Sequence, residues 1–268
     1  MSIATRERAS TAAPAAAAAA IACPTAAGAS AAAGSAPAAT AGVAQFAGRP
    51  AALLLDFGSV ISVSVFERHR ETEQILGLPP GTLTWLGPLA PTTDALWQSM
   101  LRGEISERDY WHIRARETGE RIGESGWDMP MLLKRVRQTD PNSVVRPEID
   151  ALVFAARAAG IRVGILSNEL ELFYGSHFLA GMHFLKDLDV IIDATHTGIL
   201  KPDPRAYQLA IDALALEPER ILFVDDQFRN IAGAVNVGLQ TQYFDLRDVP
   251  GNIAAVAARL GVSPRTTA

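Results

Sequence analysis

The chain has 268 residues, of which 24 are lysine or arginine and 29 are aspartate or glutamate, so its formal net charge is −5. Because charges of both signs are interspersed, we expect neither nucleic acid nor a membrane surface as a partner. The single cysteine, Cys23, excludes an internal disulfide, and no strongly apolar run reaches the about 18 residues that a transmembrane helix needs, so we expect a cytoplasmic protein.

Residues 1–47 are dominated by alanine with serine, threonine, glycine and proline, and they hold few of the large apolar residues that build a core. This composition predicts a disordered or weakly helical tail. Its basic start resembles an export signal only in part, because Glu7 and Pro14 interrupt the pattern.

From residue 51 onward, short apolar runs alternate with helical patterns. The runs predict strands that are covered on both faces, at residues 51–57, 162–167, 189–193, 221–225 and 241–244. Helices are predicted between them, at residues 147–159, 204–216 and 230–237. The alternation predicts an α/β fold with a doubly wound parallel sheet, built from residues 48–64 and 145–268.

Residues 65–144 break this alternation, because they contain no clear strand. Amphipathic patterns predict helices at residues 66–76, 92–101, 106–117 and 128–138. Ser106 followed by Asp109 is typical of a helix N-terminal cap, and Glu107 lies in the first turn. We expect a small helical subdomain over the carboxyl edge of the sheet, where ligands bind in such folds.

Carboxylates follow two of the predicted strands. Asp56 ends the first strand, and Asp225 and Asp226 end the fourth. Hard oxygen ligands of this kind suit Mg²⁺, so the sequence predicts a divalent-metal site at the mouth of the sheet.

Four segments, taken in order, resemble the motifs of the haloacid dehalogenase-like hydrolase superfamily. They are Asp56, the pair Ser167 and Asn168, the run from Lys201 to Asp203, and the acid pair Asp225 and Asp226. The resemblance spans about residues 48–262 and implies a Rossmann-like core with an inserted helical cap. It also implies a hydrolase.

The resemblance implies a role for each of these residues. Asp56 would be the nucleophile that forms an aspartyl intermediate, and Ser167, Asn168 and Lys201 would bind the transferred group. Mg²⁺ would be held by Asp56, the backbone carbonyl of Gly58, and Asp226 with or without Asp225. Asn230 stands where a further acidic residue often lies in the family.

Gly58 departs from the family pattern. Phosphatases of the superfamily usually carry a second aspartate there, which protonates the leaving group and later activates water. General acid–base catalysis of this kind is commonly worth about 10²–10⁴-fold, and glycine cannot supply it. One branch of the family nevertheless has glycine at this place and resembles this chain at residues 102–106, and its members are classed with sugar-phosphate phosphatases.

The leading hypothesis is therefore a Mg²⁺-dependent phosphatase that acts on a small, sugar-phosphate-like metabolite through an aspartyl-phosphate intermediate. Without an aspartate at position 58 it would be slow, or its proton would come from water, the substrate, a cap histidine or Glu169. The sequence makes no prediction about the oligomeric state.

Two other readings stay open. A 2-haloacid dehalogenase releases halide, which needs no proton, although that branch needs no metal and has little use for two adjacent acids. A non-catalytic relative would only bind a phosphorylated ligand or a partner protein.

Four tryptophans fall in the cap, where core packing is expected more than substrate stacking: Trp85, Trp97, Trp111 and Trp127.

Overall fold

The computed structural model of the chain describes residues 48–264, and the predicted tail at residues 1–47 lies outside the described residues. Within residues 48–264, five parallel strands form one sheet in the order β3-β2-β1-β4-β5. The strands are β1 (Ala52–Leu55), β2 (Arg162–Ser167), β3 (Val190–Asp193), β4 (Ile221–Asp225) and β5 (Gln240–Tyr243). The predicted α/β class is confirmed, and β2 and β4 have the predicted bounds.

Helices α1–α4 lie between β1 and β2, in the segment predicted to form the cap. Their bounds are α1 (His69–Leu76), α2 (Ala95–Leu101), α3 (Glu107–Arg121) and α4 (Met129–Val136). The capping box at the start of α3 is confirmed, because Ser106 and Asp109 exchange hydrogen bonds there. The cap boundaries at residues 65 and 144 stay a prediction.

Helices α5–α11 lie within the rest of the described chain. Their bounds are α5 (Pro147–Ala158), α6 (Leu170–Tyr174), α7 (Ser176–Ala180), α8 (Ala194–Thr197), α9 (Pro204–Leu214), α10 (Phe228–Asn236) and α11 (Val249–Leu260). Helices α6, α7, α8 and α11 are not predicted from the sequence. None of the helices between residues 48 and 264 has the length and apolar character needed to cross a bilayer.

The sheet is covered on both faces, as its apolar strands predict. Leu53 and Leu55 of β1 point to one face, where they belong to an apolar cluster that includes α5 and α11 side chains. Ala52 and Leu54 point to the other face and cluster with side chains of α9 and α10. All of these β1 side chains are fully buried, which fixes the position of the residue that follows the strand.

The strand order places a topological switch point between β1 and β4. From β1 the chain adds β2 and β3 on one side, whereas β4 and β5 lie on the other side. Ligands of open α/β sheets bind at the carboxyl ends of the strands at such a point. Asp56 follows β1 there, and its backbone N–H donates to the Val224 carbonyl of β4 at 2.9 Å.

The cap has an apolar cluster of its own, centred on Phe66. The ring of Phe66 lies 5.6 Å from that of Trp85, 5.6 Å from that of Trp97 and 5.1 Å from that of Trp111. The four cap tryptophans are buried, with Trp127 packed against the same cluster. The expectation that they pack in the cap core agrees with these contacts.

A buried carboxylate, Asp94, joins three parts of the cap. It caps α2 by accepting from the Trp97 N–H at 3.0 Å, and it also accepts from the Gly87 N–H and the Tyr110 hydroxyl. Arg114 of α3 pairs with it. Burial alone would raise the pKa of Asp94, but these hydrogen bonds and the Arg114 charge outweigh burial and hold the pKa below its usual value.

Asp94→Ala should lower the free energy of unfolding by about 3–5 kcal/mol, because it leaves Arg114 without its buried partner. Asp128→Ala is the matched control, since Asp128 caps α4 at an exposed position and a cap alone is worth about 1 kcal/mol. Urea unfolding measures both variants. Because the folded pKa of Asp94 is lowered, its contribution should be complete at neutral pH and shrink in acid. Equal losses in the two variants would contradict this account.

Candidate active site

Lys201 joins two of the predicted acids beneath the carboxyl edge of the sheet. Its Nζ donates to Asp56 Oδ1 at 2.6 Å and to Asp225 Oδ2 at 2.7 Å. Burial opposes the charge of Lys201, but the two carboxylates outweigh it and raise the pKa of the lysine above its usual value. Lys201 is therefore a fixed positive charge beside the predicted nucleophile.

Asp225 and Asp226 are adjacent but have different surroundings. Asp225 is fully buried and accepts from Lys201, from the Gln227 N–H at 2.8 Å and from Asn230 Nδ2 at 3.0 Å. Within residues 48–264, no hydrogen bond or ion pair reaches the Asp226 carboxylate, which borders the same cavity as Asp56. Asp225 thus holds Lys201 in place, and Asp226 is the acid that is free to meet a ligand.

The three carboxylates lie close enough to share one cation. One oxygen from each of Asp56, Asp225 and Asp226 lies within 4.8 Å of the others. Burial raises the pKa of Asp56 to about 7, against the effect of Lys201. Burial, together with the charges of Asp225 and Asp56, raises the pKa of Asp226 well above its usual value. Full ionisation of all three carboxylates would leave more negative charge than Lys201 balances, and a bound divalent cation would favour that ionised state.

The donor set at this cluster fits Mg²⁺. The side-chain oxygens Gln227 Oε1 and Asn230 Oδ1 are buried and have no hydrogen-bond partner among the described residues. Magnesium is a hard cation that takes oxygen ligands, usually one or two carboxylates with several waters and substrate phosphate oxygens. Asp56, Asp226 and the backbone carbonyl of Gly58 would hold the ion, and Gly58 borders the cavity as this requires.

Ser167 and Asn168 also lie at this edge of the sheet. Ser167 is the last residue of β2 and borders the cavity. Both polar atoms of the Asn168 side chain bind the backbone of Lys201. Its Oδ1 accepts from the Lys201 N–H at 2.7 Å, and its Nδ2 donates to the Lys201 carbonyl at 3.2 Å. Its amide holds the backbone of Lys201, and its role in substrate binding stays a prediction.

The first turn of α3 carries two residues that sequence reasoning did not select for the site: Glu107 borders the cavity, and Arg108 contacts Glu169, which also borders it. Glu107 accepts from Gln227 Nε2 at 2.6 Å and from Arg229 Nη2 at 2.7 Å. Arg108 donates to both carboxylate oxygens of Glu169, at 2.8 and 3.0 Å. The cap is thereby joined to the segments that follow β4 and β2. The available signal was the segment at residues 102–106, which directly precedes this pair.

Comparisons with known proteins relate part of this chain to a family of hydrolases. Residues 108–238 match the family model described as haloacid dehalogenase-like hydrolase. The chain is 35% identical to (S)-2-haloacid dehalogenase 1 of Pseudomonas sp. over 147 residues, which is 54% of this chain and 63% of that protein. It is 34% identical to phosphatase MT3486 of Mycobacterium tuberculosis over 101 residues, which is 37% of this chain and 46% of that protein. The match thus covers less than two thirds of either relative.

Solved structures with little sequence identity share the fold. The putative HAD-hydrolase YfnB of Bacillus subtilis, bound to magnesium, has a TM-score of 0.53 at 17% identity and covers 74% of this chain and 87% of its own. A dehalogenase structure has a TM-score of 0.50 at 20% identity, with coverage of 73% and 85%. At these identities the likeness concerns the fold alone.

Mg²⁺ should raise the thermal unfolding midpoint of the protein, because a ligand at 100 times its Kd stabilises the folded state by about 2.7 kcal/mol. Asp226→Asn should remove this increment. It should also raise the midpoint without Mg²⁺, since it removes a buried carboxylate that other carboxylates repel.

Asp225→Asn is the matched comparison, and it should lower the midpoint without Mg²⁺. Lys201, Gln227 and Asn230 would lose the charged acceptor that they share. Differential scanning fluorimetry with and without Mg²⁺ measures both variants. If the two substitutions shift the midpoint in the same direction, the two acids do not differ as described.

Proposed function

We propose that this chain, whose residues 108–238 match the haloacid dehalogenase-like hydrolase family model, is a Mg²⁺-dependent phosphatase of a small phosphorylated metabolite. The observation that carries the proposal is the contact of Lys201 with Asp56 next to the unpaired carboxylate of Asp226. A nucleophile, a fixed positive charge and a free hard ligand in one cavity suit attack on a phosphate dianion.

The chain's own residues supply most of the proposed reaction. Lys201 occupies Asp56 Oδ1 and favours the ionised carboxylate, so Asp56 Oδ2 is the oxygen left to attack phosphorus. As that bond forms, the ester P–O bond breaks and its electron pair leaves with the alcohol oxygen. The Ser167 hydroxyl would donate to a phosphoryl oxygen. The chemistry that bound Mg²⁺ supplies is neutralisation of the phosphoryl and carboxylate charges.

With Gly58, the departing oxygen has no proton donor at the position where the family usually carries an aspartate. The backbone conformation at Gly58 does not itself require glycine. Its φ of −65° and ψ of 128° are open to any residue. An added Cβ would meet only Asp56 Oδ2, at 3.7 Å, which is ordinary van der Waals contact. We therefore expect esters with good leaving groups, such as aryl phosphates, to react faster than alkyl phosphates.

Asp56→Asn should reduce phosphate release from p-nitrophenyl phosphate to the uncatalysed rate, because an amide oxygen is too weak a nucleophile to attack phosphorus. Colorimetric phosphate release with Mg²⁺ measures the effect. Asp212→Asn, an exposed site on α9, is the control and should keep full activity. An Asp56→Asn enzyme as active as the control would remove the proposed nucleophile.

Gly58→Asp should raise the hydrolysis of alkyl phosphates by about 10²-fold or more and leave aryl phosphates nearly unchanged, because only alkoxides need protonation on leaving. Gly58→Asn is the matched control, since it adds almost the same volume without an acid. Relative kcat values for the two ester classes decide the matter. Equal gains in the Asp and Asn variants would show that side-chain volume, and not proton transfer, is what changed.

A second candidate function is hydrolytic dehalogenation of a 2-haloacid. It is favoured by the 35% identity to the Pseudomonas dehalogenase and by Gly58, because halide leaves without a proton. The unpaired Asp226 has no use in that reaction. Halide release from 2-chloropropionate in the absence of Mg²⁺ would favour the dehalogenase. If neither phosphate nor halide is released, the protein would instead be a non-catalytic relative.

A further inference from the structure

We propose that the phosphate ester taken by this site has an apolar alcohol group rather than a sugar. This inference rests on the proposed phosphatase function and deepens it, because it concerns the cavity that Asp56 and Lys201 border. It also departs from the sugar-phosphate-like substrate that the family resemblance implies.

The same cavity that contains Asp56, Lys201 and Asp226 continues between the cap and α6, where its lining is largely apolar. We call this part the apolar chamber. Its principal side chains come from the loop after β1, from the cap helices and from α6: Val65, Phe66, Trp111, Met129, Leu133 and Phe173. Phe66 and Trp111 belong to the cap cluster, so the cap contributes both its own core and one wall of the chamber.

Polar side chains also border the cavity, among them Glu71, Thr72 and two arginines, and the arginines already have partners within the chain. Arg68 donates to the Ser143 carbonyl at 2.8 Å and pairs with Glu71. Arg137 donates to the Tyr174 carbonyl at 2.8 Å. The hydroxyl groups of a sugar would lose water in this chamber and find mostly carbon around them, which costs affinity. A hydrocarbon chain has no hydrogen bonds to water to give up, and it gains free energy from leaving water.

The two ends of the cavity therefore differ in the chemistry that they accept. The end at the sheet presents Lys201, Ser167 and the acids that would hold Mg²⁺, which suit a phosphoryl group. The chamber suits an apolar group attached to that phosphate. Contacts of Glu107 with Arg229 and of Arg108 with Glu169 hold the cap in the position that forms the chamber.

The test uses alkylphosphonates, which are not hydrolysed, so that binding is measured apart from turnover. Isothermal titration of the wild-type protein with Mg²⁺ should show an affinity that rises by up to about fourfold for each added methylene, from methylphosphonate toward octylphosphonate. The compound 2,3-dihydroxypropylphosphonate should bind more weakly than propylphosphonate. An affinity that does not change with chain length, or tighter binding of the dihydroxy compound, would overturn the inference.

Phe173→Ser should weaken octylphosphonate binding by about tenfold and leave methylphosphonate binding unchanged, because it removes apolar surface from the chamber only. Phe154→Ser is the matched control, since Phe154 is 76% exposed on α5 and outside the chamber. If Phe173→Ser does not fold, the wild-type series still decides.

Phosphate release from p-nitrophenyl phosphate separates this inference from the proposed function. Release together with a flat phosphonate series would keep the phosphatase and reject the apolar substrate. A rising series without release would keep the apolar site and reject the phosphatase. Absence of phosphonate binding at every chain length would reject the apolar site.

Discussion

The site depends on one buried ammonium group between two carboxylates. Lys201 precedes α9, Asp56 follows β1 and Asp225 ends β4, so a single side chain ties together three separate segments of the core. A buried lysine is tolerable only when its charge is paired and its donors are used. Asn168 completes the arrangement from β2 by binding both backbone groups of Lys201. The fold and the candidate chemistry thus share the same contacts.

The acid pair after β4 shows how neighbouring residues acquire different properties. Asp225 ends β4 and contacts Lys201, whereas Asp226 lies in the bend before α10 and borders the cavity, although one oxygen of each lies within 4.8 Å of the other. Three donors satisfy the first carboxylate, and the second has none within residues 48–264. The same residue type is therefore a structural anchor at one position and an available ligand at the next.

The sequence predicts the strands well because β1 to β4 are built around short apolar runs, and the sheet order then brings the strand-end acids together. It does not reveal α6, α7 and α8, which have five residues or fewer and are too short for an apolar period to show. The contacts of Glu107 with Gln227 and of Arg108 with Glu169 join residues 120 and 61 positions apart. No local pattern encodes such pairs, so the closed cap and its chamber emerge only from the folded chain.

Glu169, one of the groups that the sequence offers in place of the acid missing at position 58, is also a contact of the cap. Burial raises the pKa of Glu169, while Arg108 of the cap opposes that shift by pairing with the ionised carboxylate. A protonated Glu169 would lose one of the two carboxylate oxygens that accept from Arg108. Glu169 therefore cannot make its full contact with the cap and carry a proton at the same time. An aspartate at position 58 would free the cap contact from that conflict. With Gly58, proton supply from Glu169 and the contact of Glu169 with Arg108 would make opposing demands on one carboxyl group.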